Sequence, residues 1–341
     1  MVFACFCFAQ NIHEEDVFDL GPEGGRGLRI MFYNVENLFD TFDDPAKEDD
    51  QFTSKGEKNW NHYRYKEKLN NIAKTIIAVG GWEPPDIVGL CEVENLHVLL
   101  DLVSKTPLRK FGYRVIHKNS PDPRGIDNAL LYLPDKLEKI NSGLLRIGTI
   151  GTKEEFLTRD ILHASFSFMP KDTIQFFVNH WPSRFGGKSF SEHRRIEVAN
   201  ALKVHIDSIQ SLNREAKLIL MGDFNDEPGD PSISDVLNAQ PLTNTIYDSG
   251  LYNLSYEDYR DGKGTITYKD IDVTWYLFDQ IIVSGALING RGLKINGRKN
   301  HIFKADWLIK NGRPFRAYQA PIYRGGFSDH LPIFLDLYYS D

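Results

Sequence analysis

Apolar positions fall along this chain in short alternating or continuous runs, with two stretches of helical period between them. In GLRIMFYN, Leu28, Ile30 and Phe32 alternate with Arg29, Met31 and Tyr33, which predicts a half-buried strand. Residues 40–59 are polar and charged and read as a long loop. Leu69, Ile72, Ala73, Ile76 and Ile77 recur at helical spacing, and Gly80-Gly81 ends that helix. Pro84-Pro85 breaks the chain before DIVGLC (86–91), a continuous apolar run expected to be a buried strand. A helix from about Leu96 to Lys105 follows, and then YRVIH, NALLYL, ILHASFSF and IQFFVNH predict strands up to His180. The second clear helix spans about Glu192 to Ile209, with Ile196, Ala199, Leu202, Ile206 and Ile209 on one face. KLILMG (217–222), FDQIIVS (278–284) and LPIFLDLYY (331–339) complete the strands.

Many short strands, few helices and no strict βαβ alternation argue against a doubly wound parallel sheet. Two packed sheets with helices outside suit the balance. No internal repeat, low-complexity block or interior linker interrupts the chain. One domain is expected over 27–341, preceded by residues 1–26 as a signal-peptide remnant and linker. The run MVFACFCFA is apolar but too short to span a bilayer. It resembles the tail of a secretory signal without its basic region, and residues 10–26 are acidic and Gly-rich. The expectation is export (periplasmic, extracellular or surface). An incidentally apolar terminus on a cytoplasmic protein is the alternative. No later segment is long and apolar enough to be transmembrane.

Composition narrows the function classes. The formal net charge of −7 does not favour strong non-specific attraction to DNA, which rests on Lys and Arg. A carboxylate-rich site that holds a cation would also read as acidic. The three cysteines, Cys5, Cys7 and Cys91, form no disulfide framework and no CxxC pair. Cys91 lies in an apolar run and reads as a small core residue.

Polar residues collect where buried strands end, which is where such folds place their sites. GDFND (222–226) follows KLILM, and Asp223 and Asn225 share a face if the chain stays extended. A carboxylate and an amide so placed suit a hard cation and a phosphate oxygen, and an Asx-rich turn is the plainer reading. Glu92 ends DIVGLC, where a charge needs a partner or a metal. Glu94 is the competing ligand, and a carboxylate at a helix N-terminus is the structural alternative. Asn34 ends the first strand in YNVEN. In NHWPSR, His180 could act as acid or base and Arg184 could clamp a phosphate. FSDH sets Asp329 beside His330, and Asp279 sits within an apolar strand where its charge needs a partner. Lys and Arg around 64–68 and 184–195 read either as a phosphate-binding groove or as solvated helix faces.

The ordered set NVEN, CEVEN, NHW, GDFND, FDQI and SDH, spread over about residues 28–339, resembles the endonuclease/exonuclease/phosphatase superfamily. The resemblance implies an α/β (α+β) four-layered α/β/β/α sandwich, deoxyribonuclease I-like, with two mainly antiparallel sheets flanked by helices. It also implies Mg²⁺- or Mn²⁺-dependent hydrolysis of a phosphoester by in-line attack of water. By the same resemblance, Glu92 is the principal metal ligand, with Asn34 and Asp329 beside the ion. His180, Asp223, Asn225, Asp279, Asp329 and His330 are then the catalytic set. Arg124, Trp181 and Arg184 are expected to contact substrate. The substrate class stays open between nucleic acid and a small phosphorylated molecule or lipid headgroup, handled by a monomer. A catalytically inactive relative that binds a ligand or partner is the alternative.

Overall fold

The computed structural model describes residues 27–147, 157–168, 172–268, 273–319 and 322–340. The signal-like start, the 10–26 linker, Cys5 and Cys7 lie outside the described residues. The first half of the chain builds β1 (Gly27–Leu38), α1 (His62–Gly80), β2 (Ile87–Val93), α2 (Leu96–Lys105), β3 (Arg114–His117) and β4 (Asp127–Tyr132). Next come β5 (Glu138–Leu145), β6 (Ile161–Phe168), β7 (Asp172–His180), α3 (Lys188–Leu212), β8 (Lys217–Asp223), β9 (Ala239–Gln240) and β10 (Leu251–Asn253). The short α4 (Tyr256–Arg260) leads to β11 (Ile266–Thr267), β12 (Trp275–Tyr276), β13 (Asp279–Ser284), α5 (Ala286–Asn289), β14 (Gly292–Ile295) and β15 (His301–Ile302). Four two-residue strands, β16 (Ile309–Lys310), β17 (Arg313–Pro314), β18 (Tyr318–Gln319) and β19 (Ile322–Tyr323), precede the long β20 (Ile333–Ser340).

These strands form two sheets. One runs β14-β20-β1-β2-β4-β3, with β15 also on β20, and the other runs β5-β6-β7-β8-β13-β10-β9. Their pairings are antiparallel except β1 with β2, β7 with β8 and β9 with β10. Period-2 side chains then divide the core into layers. Leu28, Ile30 and Phe32 meet Phe176, Val178, Ile219, Met221, Ile281 and Val283 between the sheets. Met31, Tyr33 and Val35, on the opposite face of β1, pack under α1 and α2 against Leu69, Ile72, Ile76 and Leu102. Phe177, Leu218, Leu220 and Ile282 pack under α3 against Val198, Leu202 and Ile206. The layers are therefore helix, sheet, sheet, helix, as the resemblance implied.

Two expectations need correction. β1 is buried on both faces, because the helices cover the side that alternation alone would leave to solvent. The buried face of α3 carries Arg195, Val198, Ala199, Leu202 and Ile206, whereas Ile196 is only partly covered. Arg195 takes the core position because its charge meets Asp226, with Nε 2.7 Å from Oδ1. The helix ends follow local chemistry. Asn61 accepts from the Tyr63 and Arg64 amides to start α1, and Gly81 at φ 71° ends it. Asn95 accepts from Val98 N at 3.0 Å to start α2.

Candidate active site

The inter-sheet core becomes polar at one end, and that polar end is the site. On β1 the inward parity 28, 30, 32 continues to Asn34, which is wholly buried. On the other sheet, His180 pairs in register with Asp223, and Asp223 with Asp279, so three polar side chains sit abreast on β7, β8 and β13. They share parity with Val178, Met221 and Ile281 and so face the same interlayer. Glu92 should point the other way from Cys91, but the register breaks between Cys91 and Val93 and Glu92 adopts φ 61°. That left-handed turn, costly for a residue with a Cβ, brings its carboxylate round to Asn34. His330 enters from the segment before β20. It is fixed by its own amide donating to Ser328 Oγ, whose hydroxyl donates to Asn34 O at 2.7 Å.

Asn34 Nδ2 stands 3.0 Å from Asp223 Oδ2, 3.4 Å from Glu92 Oε1 and 3.5 Å from His330 Nε2. His180 Nε2 lies 3.8 Å from both Glu92 Oε1 and Asp223 Oδ2. His330 Nε2 is 3.7 Å from Asp223 Oδ2, while its Nδ1 is 2.7 Å from Asp279 Oδ2. Thr265 Oγ1 donates to the same Asp279 oxygen. Glu92 Oε2 accepts from Asn37 N at 2.9 Å. The six side chains thus form one connected group.

Burial and charge set their protonation. Burial pushes the Asp223 carboxyl up to about 7, against the pull of the His330 cation, and Asp279 adds to the rise. Burial alone would hold His330 neutral, but the Asp279 and Asp223 carboxylates hold its pKa well above the ordinary imidazole value. His180 is held well below that value, first by burial and then by the Arg159 and Arg124 cations. The site therefore holds one imidazole that keeps its proton and one that stays neutral.

Other expected residues lie differently. Asn225 adopts φ 50°, so the chain does not stay extended after Asp223. Its amide turns to Trp181 O at 3.0 Å, while its N–H donates to Asp223 Oδ1. Trp181 is wholly buried, packs against Phe224 and donates to Asn179 Oδ1, so the structure gives a ligand no face of it to touch. That corrects the expected substrate contact. A large apolar ring beside three buried strand ends fills core more readily than it stays at a surface. Arg184 is committed to Asn225 O, Asp226 and Asp230 and lies over the Phe278 ring, so the phosphate clamp expected of it is here a clamp on its own loop. Arg124 pairs with Asp122 and remains half-exposed within electrostatic reach of His180. Asp329 stands outside the six, bound by Arg316. Glu94 accepts from Asp40 N at 2.6 Å and supports a loop instead.

Three supporting groups escaped the sequence reading. Arg159 donates to Asp122 and to Trp181 O, fixing the strand end next to His180. Ser328, within SDH, holds His330 and Asn34 together. Glu36, within NVEN, is buried and receives Arg316 and Ala317 N. Only Ser328 and Glu36 had a signal, their place inside quoted motifs.

The donor set suits a hard divalent cation. Donor atoms of Asp223, Asp279 and His330 lie within 4.8 Å of one another, but His330 keeps its proton against Asp279, which leaves the carboxylates of Asp223 and, across Asn34, Glu92 to face a cation. Two desolvated carboxylates facing one another are stabilised by a cation between them. Among the described residues no helix is long and apolar enough to cross a membrane.

The fold has many known counterparts. The chain superposes on Bacteroides thetaiotaomicron mannosyl-6-phosphatase at TM-score 0.56 and 18% identity, covering 91% of this chain and 99% of that one. D. rerio TDP2 complexed with a single-strand DNA product gives TM-score 0.54 at 16% identity, covering 91% and 98%. The human Nocturnin catalytic domain with a bound sulfate anion gives 0.53 at 18% identity, covering 92% and 95%. At these identities the likeness is one of fold. No curated protein matches the chain. The sequence model of the Endonuclease/Exonuclease/phosphatase family matches residues 29–338, nearly the whole chain. By that match the chain belongs to the endonuclease/exonuclease/phosphatase family of phosphoester hydrolases.

Proposed function

We propose that this chain hydrolyses a phosphoester with the help of Mg²⁺ or Mn²⁺. The carrying observation is the convergence of Asn34, Glu92, His180, Asp223, Asp279 and His330 at one end of the inter-sheet core. Glu92, assisted by Asn34, would hold the ion. When bound, it neutralises charge on the phosphate and on the developing transition state.

The protein's own groups do the rest. Asp223, whose pKa lies near neutrality, orients a water in line with the phosphorus and takes its proton. His330, held upright by Asp279, keeps its proton and donates Nε2–H to a phosphoryl oxygen. His180 stays neutral and offers Nε2 between Glu92 and Asp223. Asn225 positions Asp223 through its N–H and Trp181 through its amide. Export of the chain, suggested by its apolar start, is part of the same proposal.

Hydrolysis of bis(4-nitrophenyl) phosphate in Mg²⁺ tests the reading. Glu92→Ala and His330→Ala, each shown to fold, should lose at least ~100-fold in kcat/KM. Mg²⁺ should raise the melting temperature of the parent and not that of Glu92→Ala. A folded parent that gains no stability from the ion and turns over no phosphodiester would leave an inactive binding module.

A further inference from the structure

Beside Asp329, a cavity of about 610 Å³ opens among β16, β17 and the segment around Arg324. That volume is in the range of small-molecule sites. Among the described residues its wall carries four cations, Lys310, Arg313, Arg316 and Arg324, and one carboxylate, that of Asp329. In a chain of net charge −7 this is a local reversal of sign.

The four cations are not equally engaged. Arg316 is matched by Asp329 and by Glu36, with Nε 3.4 Å from Glu36 Oε1. Arg313 donates to Tyr268 O at 2.6 Å. The Lys310 ammonium lies 4.4 Å from the centre of the Phe315 ring. Among the described residues, neither Lys310 nor Arg324 has a carboxylate within ion-pair distance, and both are exposed. An ammonium and a guanidinium lining one concavity, with no carboxylate of the described residues at ion-pair distance from either, form a receptor for an anion.

The cavity adjoins the six-residue site through two of its lining residues: Thr267 follows Ile266, which bridges to His330, and Asp329 precedes His330. Arg316 links Asp329 to Glu36, two residues beyond Asn34. The basic space therefore lies on the Asp329 side of His330, the side toward which a larger molecule bound at Asp223 and His330 would project.

We infer that the substrate is a small molecule carrying a second phosphate, and that Lys310 and Arg324 bind this second phosphate while the first is hydrolysed. The inference rests on the hydrolase reading above. The cations gather in one pocket and do not line a stripe, and the rest of the chain is acidic. Both features favour a small anion over the backbone of a long nucleic acid, which needs cations along its track.

Fructose 1,6-bisphosphate and fructose 6-phosphate are the matched probes, with a short oligothymidylate as the polymer control. Each is measured as a competitor of bis(4-nitrophenyl) phosphate hydrolysis, and separately as a shift in melting temperature in EDTA, where no turnover is needed. The parent should bind the bisphosphate at least ~10-fold more tightly than the monophosphate. Lys310→Ala with Arg324→Ala should erase that preference and leave kcat/KM for the chromogenic diester within about twofold, as expected for exposed residues away from the reacting atoms. Equal binding of the two probes by the parent, equal weakening of both in the double variant, or an oligothymidylate that responds more than the bisphosphate would overturn the inference. If the parent hydrolyses nothing, the hydrolase reading fails while the melting shifts still decide whether the pocket takes a second phosphate.

Discussion

Replacing Arg195 with Met tests the most counterintuitive placement in the molecule. The side chain is wholly buried, as is its partner Asp226. Nε lies 2.7 Å from Asp226 Oδ1, Nη1 donates to Ser191 Oγ at 2.8 Å, and Nη2 donates to Lys188 O at 3.1 Å. Met fills similar space without the charge, so the loss is electrostatic. Breaking a buried pair from one side costs ~3–5 kcal/mol, because the remaining charge is left desolvated. Asp226 keeps Ser232 Oγ at 2.6 Å and Arg184 Nη2 at 3.3 Å, which places the expectation at the lower end of that range. The Lys188 carbonyl loses a donor and adds ~1 kcal/mol. Urea unfolding should therefore report a loss of at least ~3 kcal/mol. Asp226→Asn in the Met background should cost less than in the parent, with a coupling of ~1–3 kcal/mol in the double-mutant cycle. A solvated helix-face arginine would cost under ~0.5 kcal/mol. A measured loss of that size, or a cycle that closes additively, refutes the buried pair.

Other expectations follow from the same geometry. Asp279→Asn removes the partner of His330 Nδ1 and lets burial lower its pKa; diester hydrolysis should fall ~10²–10⁴-fold and the residual activity should shift to lower pH, whereas an unmoved profile would separate the pair from catalysis. Gly222→Ala would set a Cβ 2.4 Å from the Asn179 carbonyl oxygen in the middle of the second sheet, and urea unfolding should show a loss of ~1–3 kcal/mol. His163 is held below the ordinary imidazole value by burial, against its bond to Gln175. It stays neutral in the fold while the unfolded chain protonates, so its contribution is complete above about pH 6.5 and fades as pH falls below that. His163→Gln should therefore flatten the fall in melting temperature on acidification, and an unchanged slope would assign the acid sensitivity elsewhere.

Much of the architecture was readable because it is written in short-range patterns. Alternation located β1, short apolar runs located β2, β6, β7, β8 and β20, and α2 was expected over Leu96–Lys105, where it lies. The two-sided burial of β1 was hidden, since Met31 and Tyr33 resemble a weaker face until α1 and α2 cover them. Strand ends gave Asn34, Asp223 and His180, because a polar residue after an apolar run is visible in one dimension. What converts them into a site is not visible there. The φ of 61° at Glu92 and the turn at Asn225 decide which way each side chain faces, and neither residue is a glycine that would advertise the bend. Arg159, Lys68 and Arg195 were equally opaque. A buried cation looks like a solvated one until its acceptor arrives from far along the chain, as when Lys68 Nζ meets Phe327 O.

Asn34 and Glu92 ride on one sheet, while His180, Asp223 and Asp279 ride on the other. Dozens of residues of chain separate Asn34 and Glu92 from His180, Asp223 and Asp279, so the gap between the opposing acids is set by how thick the apolar filling is. Phe32, Phe176 and Met221, within that filling, thereby act as spacers for the reactive groups at its end. A family built this way can retune its reaction distances by exchanging methylenes in the filling, leaving every reactive residue in place.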